Sequence, residues 1–350
     1  MASDQTSDLV SLAIGIPDEL RVRRATEADL ERRVDFHNRY ATASQWVPLE
    51  TARHQHATSP NLSELALIVE DPAGAVVAVG ETSDGGVMRS PDGSWNLSLR
   101  VAEPWRTRGI ASALLEALET HARANAARRL LVAVRGDDAE SAHFAQRHAY
   151  TPFHERIDSY ISVPSFDPSP FEDPDATASR VGVRFETYAE LMREHAADVE
   201  AFQRAMYPAL WAMARDVPSA TPMPEAPPPF ELVQRLFFGG PGIDPETSIF
   251  ALRAGEVVGL TITTLKETGT AYTNFTGVKR SERGNGIALA LKLRALRALK
   301  ERGAKLFGTT NDEQNAAMRS INRKLGYVAD SPTVMHEKTL LGTAAASGDR

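Results

Sequence analysis

The stretch VKRSERGNGIALALKLRA, residues 278–295, is the key to this chain because a second version of it occurs earlier. At an offset of 177 residues it lies without a gap on VAEPWRTRGIASALLEAL, residues 101–118. Val101 falls on Val278, Arg106 on Arg283, Gly109 on Gly286, Ile110 on Ile287, Ala111 on Ala288 and Leu114 on Leu291. The register holds to Tyr150 and Tyr327, so the chain reads as a duplicated domain. Its 350 residues suit two domains better than one core. Residues 164–179, rich in Pro, Ser and Asp, read as the linker between them. The division predicted is a tail at 1–18, a first domain at 19–163, a second at 180–340 and a tail at 341–350.

Working outward from the second copy, VGVRFET reads as a strand, and the pattern from Tyr188 to Ala214 is helical. The proline-rich residues 217–231 read as a surface loop, followed by a short helix in FELVQRLFF. SIFALRAGEVVGLTITTL gives two strands around a turn, and TAYTNFTGV a third. Leu289, Leu293, Leu296 and Leu299 stripe a helix that begins at Gly286. KLFGTT, then the helix NAAMRSINRKL, then GYVAD and TVMHEKT complete the unit, and the first half repeats the order. The class is therefore α/β or α+β, with a mixed sheet in each domain.

Composition narrows the chemistry. There is no cysteine, which removes disulfides, thiolate metal sites and a cysteine nucleophile, and suits a reducing cytoplasm. The net charge of −7 argues against a nucleic-acid partner. All of that charge lies in residues 1–170, which hold 17 Arg, no Lys and 24 acidic side chains. No apolar run is long enough for a membrane span, and no basic region precedes the short apolar stretch near the N-terminus, so no signal peptide is expected. The nine histidines show no metal-ligand spacing, and no Gly-x-Ser-x-Gly elbow occurs.

The segment Arg283-Gly284-Asn285-Gly286-Ile287-Ala288 stands between a strand and a helix. Glycines there allow costly dihedrals, and a helix N-terminus presents unpaired N–H groups to an anion. A Walker loop would need Lys where Ile287 stands, and a dinucleotide fingerprint would need Gly or Ala at Leu289. The pattern Arg-x-x-Gly-x-Gly/Ala, with Asn315 and Gly326-Tyr327 downstream, resembles the acetyl-coenzyme A site of the GNAT acyltransferases. Arg106-Thr107-Arg108-Gly109-Ile110-Ala111 resembles it too, and the tandem layout is similar to that of mycothiol synthase and related two-domain bacterial acetyltransferases.

The resemblance implies two tandem domains, each with a mixed, mostly antiparallel seven-stranded sheet flanked by helices. It implies acetyl-coenzyme A as cosubstrate, no metal, and an N-acetyltransferase acting on a small amine by direct attack in a ternary complex. Pantetheine would pair with Thr276 and with the backbone of Val278, Lys279 and Arg280. The pyrophosphate would lie on Arg283, Gly284, Asn285, Gly286, Ile287 and Ala288, with Asn315 and Asn322 also in contact. Val101, Arg106, Arg108, Gly109, Ile110 and Ala111 are the weaker equivalents, since Thr107, Asp138 and Ala149 replace Gly284, Asn315 and Gly326. Catalysis is thus expected in the second domain. The tyrosine that many members carry seven residues after the Asn is Asn322 here, and Ala145 in the first half, so neither supplies a phenol.

Strand alternation puts Tyr272, Asn274 and Thr276 on one face, with Tyr272 as candidate acid or base, Asn274 as orienter, and the Val278 N–H as donor to the thioester carbonyl. Glu282 and Glu267 flank the site, and Met206, Tyr207, Trp211 and Met213 read as a packed helix face over the acceptor side. A non-catalytic acyl-coenzyme A-binding module and a protein acetyltransferase are the alternatives, and the chain is expected as monomer or homodimer.

Overall fold

The computed structural model describes residues 15–43, 45–58, 63–86, 89–219 and 221–340, so the predicted tail at 341–350 and most of that at 1–18 lie outside the described residues. The first half of the sequence forms β1 (Arg21–Arg24), α1 (Leu30–Asn38), α2 (Leu49–Thr58), β2 (Glu64–Glu70), β3 (Val76–Ser83), β4 (Ser94–Val101), α3 (Ile110–Ala124), β5 (Arg129–Arg135), α4 (Ala139–Arg147) and β6 (Thr151–Ser162). The second forms α5 (Pro174–Val181), β7 (Arg184–Thr187), α6 (Tyr188–Glu194), α7 (Val199–Ala214), α8 (Phe230–Val233), β8 (Ile249–Arg253), β9 (Glu256–Leu265), β10 (Thr270–Val278), α9 (Ile287–Glu301), β11 (Leu306–Asp312), α10 (Ala316–Leu325), β12 (Val328–Ala329) and β13 (Thr333–Thr339). The end of the expected linker is helical, because Pro174 stands at the first turn and the Asp173 side chain caps it.

Two compact units result, and they cut across sequence order. The first runs to His154 and takes in Thr221–Glu225 and the chain from Val334; the second takes Glu155–Ala220 and Ala226–Thr333. In the first unit the strands run β1-β2-β3-β4-β5-β13, and in the second β6-β11-β10-β9-β8-β7, with the two-residue β12 beside β6. With β12 the second unit has seven strands among the described residues, and each unit takes its last strand from the other half of the sequence. The equivalence is visible in the backbone. Val163 N–H donates to Lys305 C=O (3.0 Å), and Leu340 N–H to Arg128 C=O (2.8 Å), the two donors lying 177 residues apart and the two acceptors likewise. Proximity in sequence had assigned β6 to the first domain and β13 to the second.

In the second unit Ile287, Leu291, Leu296 and Leu299 of α9 pack on Val258, Ala271, Val278 and Phe307. The opposite face carries Phe250, Leu260 and Ile262 under Met206, Leu210 and Met213 of α7, so Met206 and Met213 of the expected stripe are core while Tyr207 and Trp211 are half-buried. In the first unit Ile110, Leu114 and Leu118 of α3 cover Leu97, Val101 and Leu130.

Candidate active site

β10 runs antiparallel to β9 and parallel to β11, but it pairs with β11 only from Thr270 with Leu306 to Thr273 with Thr309. Beyond Thr273 the two strands part. The β9 register shifts by one residue between Thr273 and Phe275, a β-bulge at Asn274. Lys279 N–H donates to Val258 C=O (2.8 Å), which sets the phase beyond the bulge. By alternation the N–H groups of Thr276 and Val278 then point away from β9, into the opening.

Arg283 Nε donates to the Val278 carbonyl (3.0 Å) and so closes the turn. Gly284 and Gly286 follow at φ +83° and +87°, a left-handed region where a Cβ is costly. α9 starts at Ile287 with no side chain capping it, so its first N–H groups face outward for an anion. Ile287 is buried and Ala288 half-buried. Asn285 Nδ2 donates to the Glu282 carbonyl (3.2 Å), and Lys279 pairs with Glu256 (3.2 Å). Arg280 (2.6 Å) and Arg283 (2.5 Å) both hold Asp216, whose carboxyl they keep below the usual carboxylate range.

The α9 side of the opening is polar. Thr273 Oγ1 and Asn322 Oδ1 are buried without a hydrogen-bond partner among the described residues. Asn322 Nδ2 donates to Asn311 Oδ1, and Thr276 shares a hydrogen bond with Thr261 (2.8 Å). Asn315 Oδ1 caps α10 through Met318 N–H (3.2 Å), the same service Asp138 performs for α4 through Ser141 N–H (3.0 Å).

The expectation of one face for Tyr272, Asn274 and Thr276 fails at the bulge. The extra residue inverts the alternation, so Tyr272 lies on the α7 side while Thr276 meets Thr261 on the α9 side. Tyr272 donates to Asp158 Oδ1 (3.2 Å) and touches Thr310 Oγ1. Burial and the neighbouring Asp158 push its phenol far up, so it keeps its proton at neutral pH and is no base. Asn274 Nδ2 donates to the Gly242 carbonyl (2.7 Å). Glu282 is tied to Arg253 (2.8 Å). Residues missed by sequence reasoning are Asp158, Thr273, Thr309, Thr310 and Asn311. The recurring Thr in Thr309-Thr310-Asn311, on a strand otherwise read as buried, was the available signal.

The first unit keeps the turn and the parting of the strands but lines the gap with apolar side chains. Arg106 Nε bonds the Val101 carbonyl (3.3 Å), and Gly109 sits at φ +82°. Here β3 and β4 pair with no bulge, and β4 meets β5 from Ser94 to Leu97. The strand pairing sets Leu97 in the place of Thr273, while Thr276, Thr309, Asn311 and Asn322 correspond to Leu99, Val132, Val134 and Ala145. All five are apolar and belong to the core cluster or pack on it. The Gly15 carbonyl oxygen comes within 2.5 Å of where a Cβ on Gly109 would stand, and Glu19 pairs with Arg108 (3.2 Å). Arg106 also pairs with Glu140 (3.2 Å), and Val101, Ile110 and Ala111 join the core.

Among the described residues no helix is long and apolar enough to cross a membrane. No curated protein sequence matches the chain. A GCN5-related N-acetyltransferase from Sphaerobacter thermophilus has a similar fold: TM-score 0.67 at 20% identity, over 93% of this chain and 96% of that one. So has a tandem GNAT protein from the clavulanic acid biosynthesis pathway, with TM-score 0.67 at 16% identity, over 92% and 98%. The sequence profile of the acetyltransferase (GNAT) family matches residues 29–150 and again 208–327. Matched twice, over more than half its length, and with the same strand–turn–helix in both copies, the chain belongs to the acetyltransferase (GNAT) family as a tandem member.

Proposed function

We propose that the protein transfers an acetyl group from acetyl-coenzyme A to the amine of a small molecule, and that the second unit alone does so. The observation that carries this reading is the contrast between the two openings. Thr273, Thr276, Thr309, Asn311 and Asn322 stand where the first unit has Leu97, Leu99, Val132, Val134 and Ala145. Buried polar atoms without partners are costly, by about 1–3 kcal/mol each, and a polar ligand chain that supplies the missing hydrogen bonds offsets that cost. Pantetheine, with its two amides, has this chemistry.

In this reading the amides at the start of α9 receive the pyrophosphate, with Arg283 holding the turn and Arg280 and Lys279 beside it. The bulge at Asn274 turns the Thr276 and Val278 N–H groups into the opening, where Val278 would bond the acyl carbonyl. Such a donor typically contributes about 3 kcal/mol to the transition state. The bound thioester supplies the electrophilic acyl carbon. Tyr272 holds its proton and orients Asp158 rather than acting as acid or base, and no phenol stands at Asn322, so the departing thiolate takes its proton from water. We place the enzyme in the cytoplasm, a compartment that a chain without disulfides suits.

Release of free thiol from acetyl-coenzyme A in the presence of a panel of primary amines tests the reading. Acceptor-dependent release is expected. Tight binding of acetyl-coenzyme A without release on any amine would instead support a binding module, and release only with lysine-containing peptides a protein acetyltransferase.

A further inference from the structure

The opening between β10 and β11 has two mouths. The turn and α9 lie at one, so an acyl donor bound on the turn enters from there, and the acceptor must approach from the α7 side. At that second mouth stand Tyr272, Thr310 and Asp158, the last supplied by the exchanged strand β6, where it lies opposite Thr310. Tyr272 OH (3.2 Å) and Thr310 Oγ1 both donate to Asp158 Oδ1, which fixes the carboxylate plane, and Asp158 is half-buried. Further along the same face Arg156 lies opposite Asp312. The first unit has none of this group: at the equivalent places it has Asn96, Ala133 and Met335. A carboxylate that accepts from two hydroxyls stands here only in the unit whose opening is polar.

We propose that Asp158 is the acceptor-binding residue and that it selects acceptors that arrive as ammonium ions. This rests on the acyl-transfer reading above. The ammonium and the thioester give the amide, the free thiol and one proton. Nitrogen bonds to the acyl carbon and the C–S bond breaks; nitrogen gives up two protons to water, and water returns one to the departing thiolate. Asp158 holds the cation at the mouth, and Tyr272 and Thr310 position Asp158.

Benzylamine, a cation at pH 7, and O-benzylhydroxylamine, neutral at pH 7 and nearly the same shape, separate charge recognition from fit. Asp158→Asn is expected to lower kcat/KM for benzylamine by about tenfold or more, mainly through KM, since a hydrogen bond to a charged group contributes about 1.5–3 kcal/mol. It is expected to leave O-benzylhydroxylamine within about twofold, a split that a merely structural loss would not produce. Binding of acetyl-coenzyme A is measured alongside. If the wild type does not bind it, the acyl-transfer reading falls and this inference with it. If the wild type binds it, then no thiol release with benzylamine, or an equal effect or none on both acceptors in Asp158→Asn, overturns the ammonium assignment alone.

Discussion

Thr107 and Ala149 hold backbone conformations that glycine holds in the second unit. Their φ angles are +63° and +64°, against +83° at Gly284 and +86° at Gly326. The duplicated turn and helix end thus keep their shape although the residues that suit it are gone. The left-handed region costs a non-glycine residue about 1–2 kcal/mol, part of which glycine returns through its greater freedom when unfolded. Thr107→Gly and Ala149→Gly should each stabilise the protein by about 0.5–1 kcal/mol, read as a rise in Tm, and Gly326→Ala should lower it. Lys292 is a second residue-scale cost. It is fully buried on α9 over the rings of Tyr327 (5.0 Å) and Phe307 (5.6 Å), its Nζ has no hydrogen-bond partner among the described residues, and burial pushes its pKa down to about 7. Between that value and the ordinary lysine range the unfolded chain binds more protons, so stability should rise with pH across this window. Lys292→Leu, the residue found at Leu115, should remove that slope in denaturant titrations.

At the scale of elements, the bulge distinguishes the opening with a polar lining from the one with an apolar lining. Thr273→Val keeps the shape and removes a buried hydroxyl that has no partner among the described residues. It should leave stability unchanged or raise it by about 1 kcal/mol while weakening acetyl-coenzyme A binding, measured calorimetrically. A loss of stability with unchanged binding would show that the hydroxyl serves the fold. The strand–turn–helix was legible in the sequence because its glycines, arginine and apolar stripe are local. The bulge was not: one extra residue changes the offset between the copies from 177 to 176 only upstream of Asn274, and so reversed the predicted face of Thr276. Asp158 was invisible as a site residue for a different reason. It lies in the first half of the sequence, and only the three-dimensional pairing of β6 with β11 brings it to Tyr272.

At the scale of the molecule, the exchange of β6 and β13 means that neither half of the sequence contains a whole unit. The first unit depends on the end of the chain. Lys338 reaches Glu119 (2.6 Å), which also accepts from Tyr150 (3.1 Å) and Arg123 (2.7 Å), in a largely buried group. Removing the lysine leaves a buried carboxylate short of one partner, a change that costs about 3 kcal/mol. Lys338→Met should therefore weaken hydrogen-exchange protection in β2, β3 and α3 while leaving α9 and β9 as they were. Equal loss in both units would show that they unfold together. The lysine-free, acidic first half noted from composition mostly builds the unit whose opening has an apolar lining.

The number of acetyl-coenzyme A molecules bound per chain, by isothermal titration, tests the central claim most directly. One is expected, and none in Gly286→Glu, where a side chain at φ +87° and a carboxylate would face the α9 amides. Two per chain, or full binding in that variant, would contradict the assignment of acetyl transfer to the second unit alone.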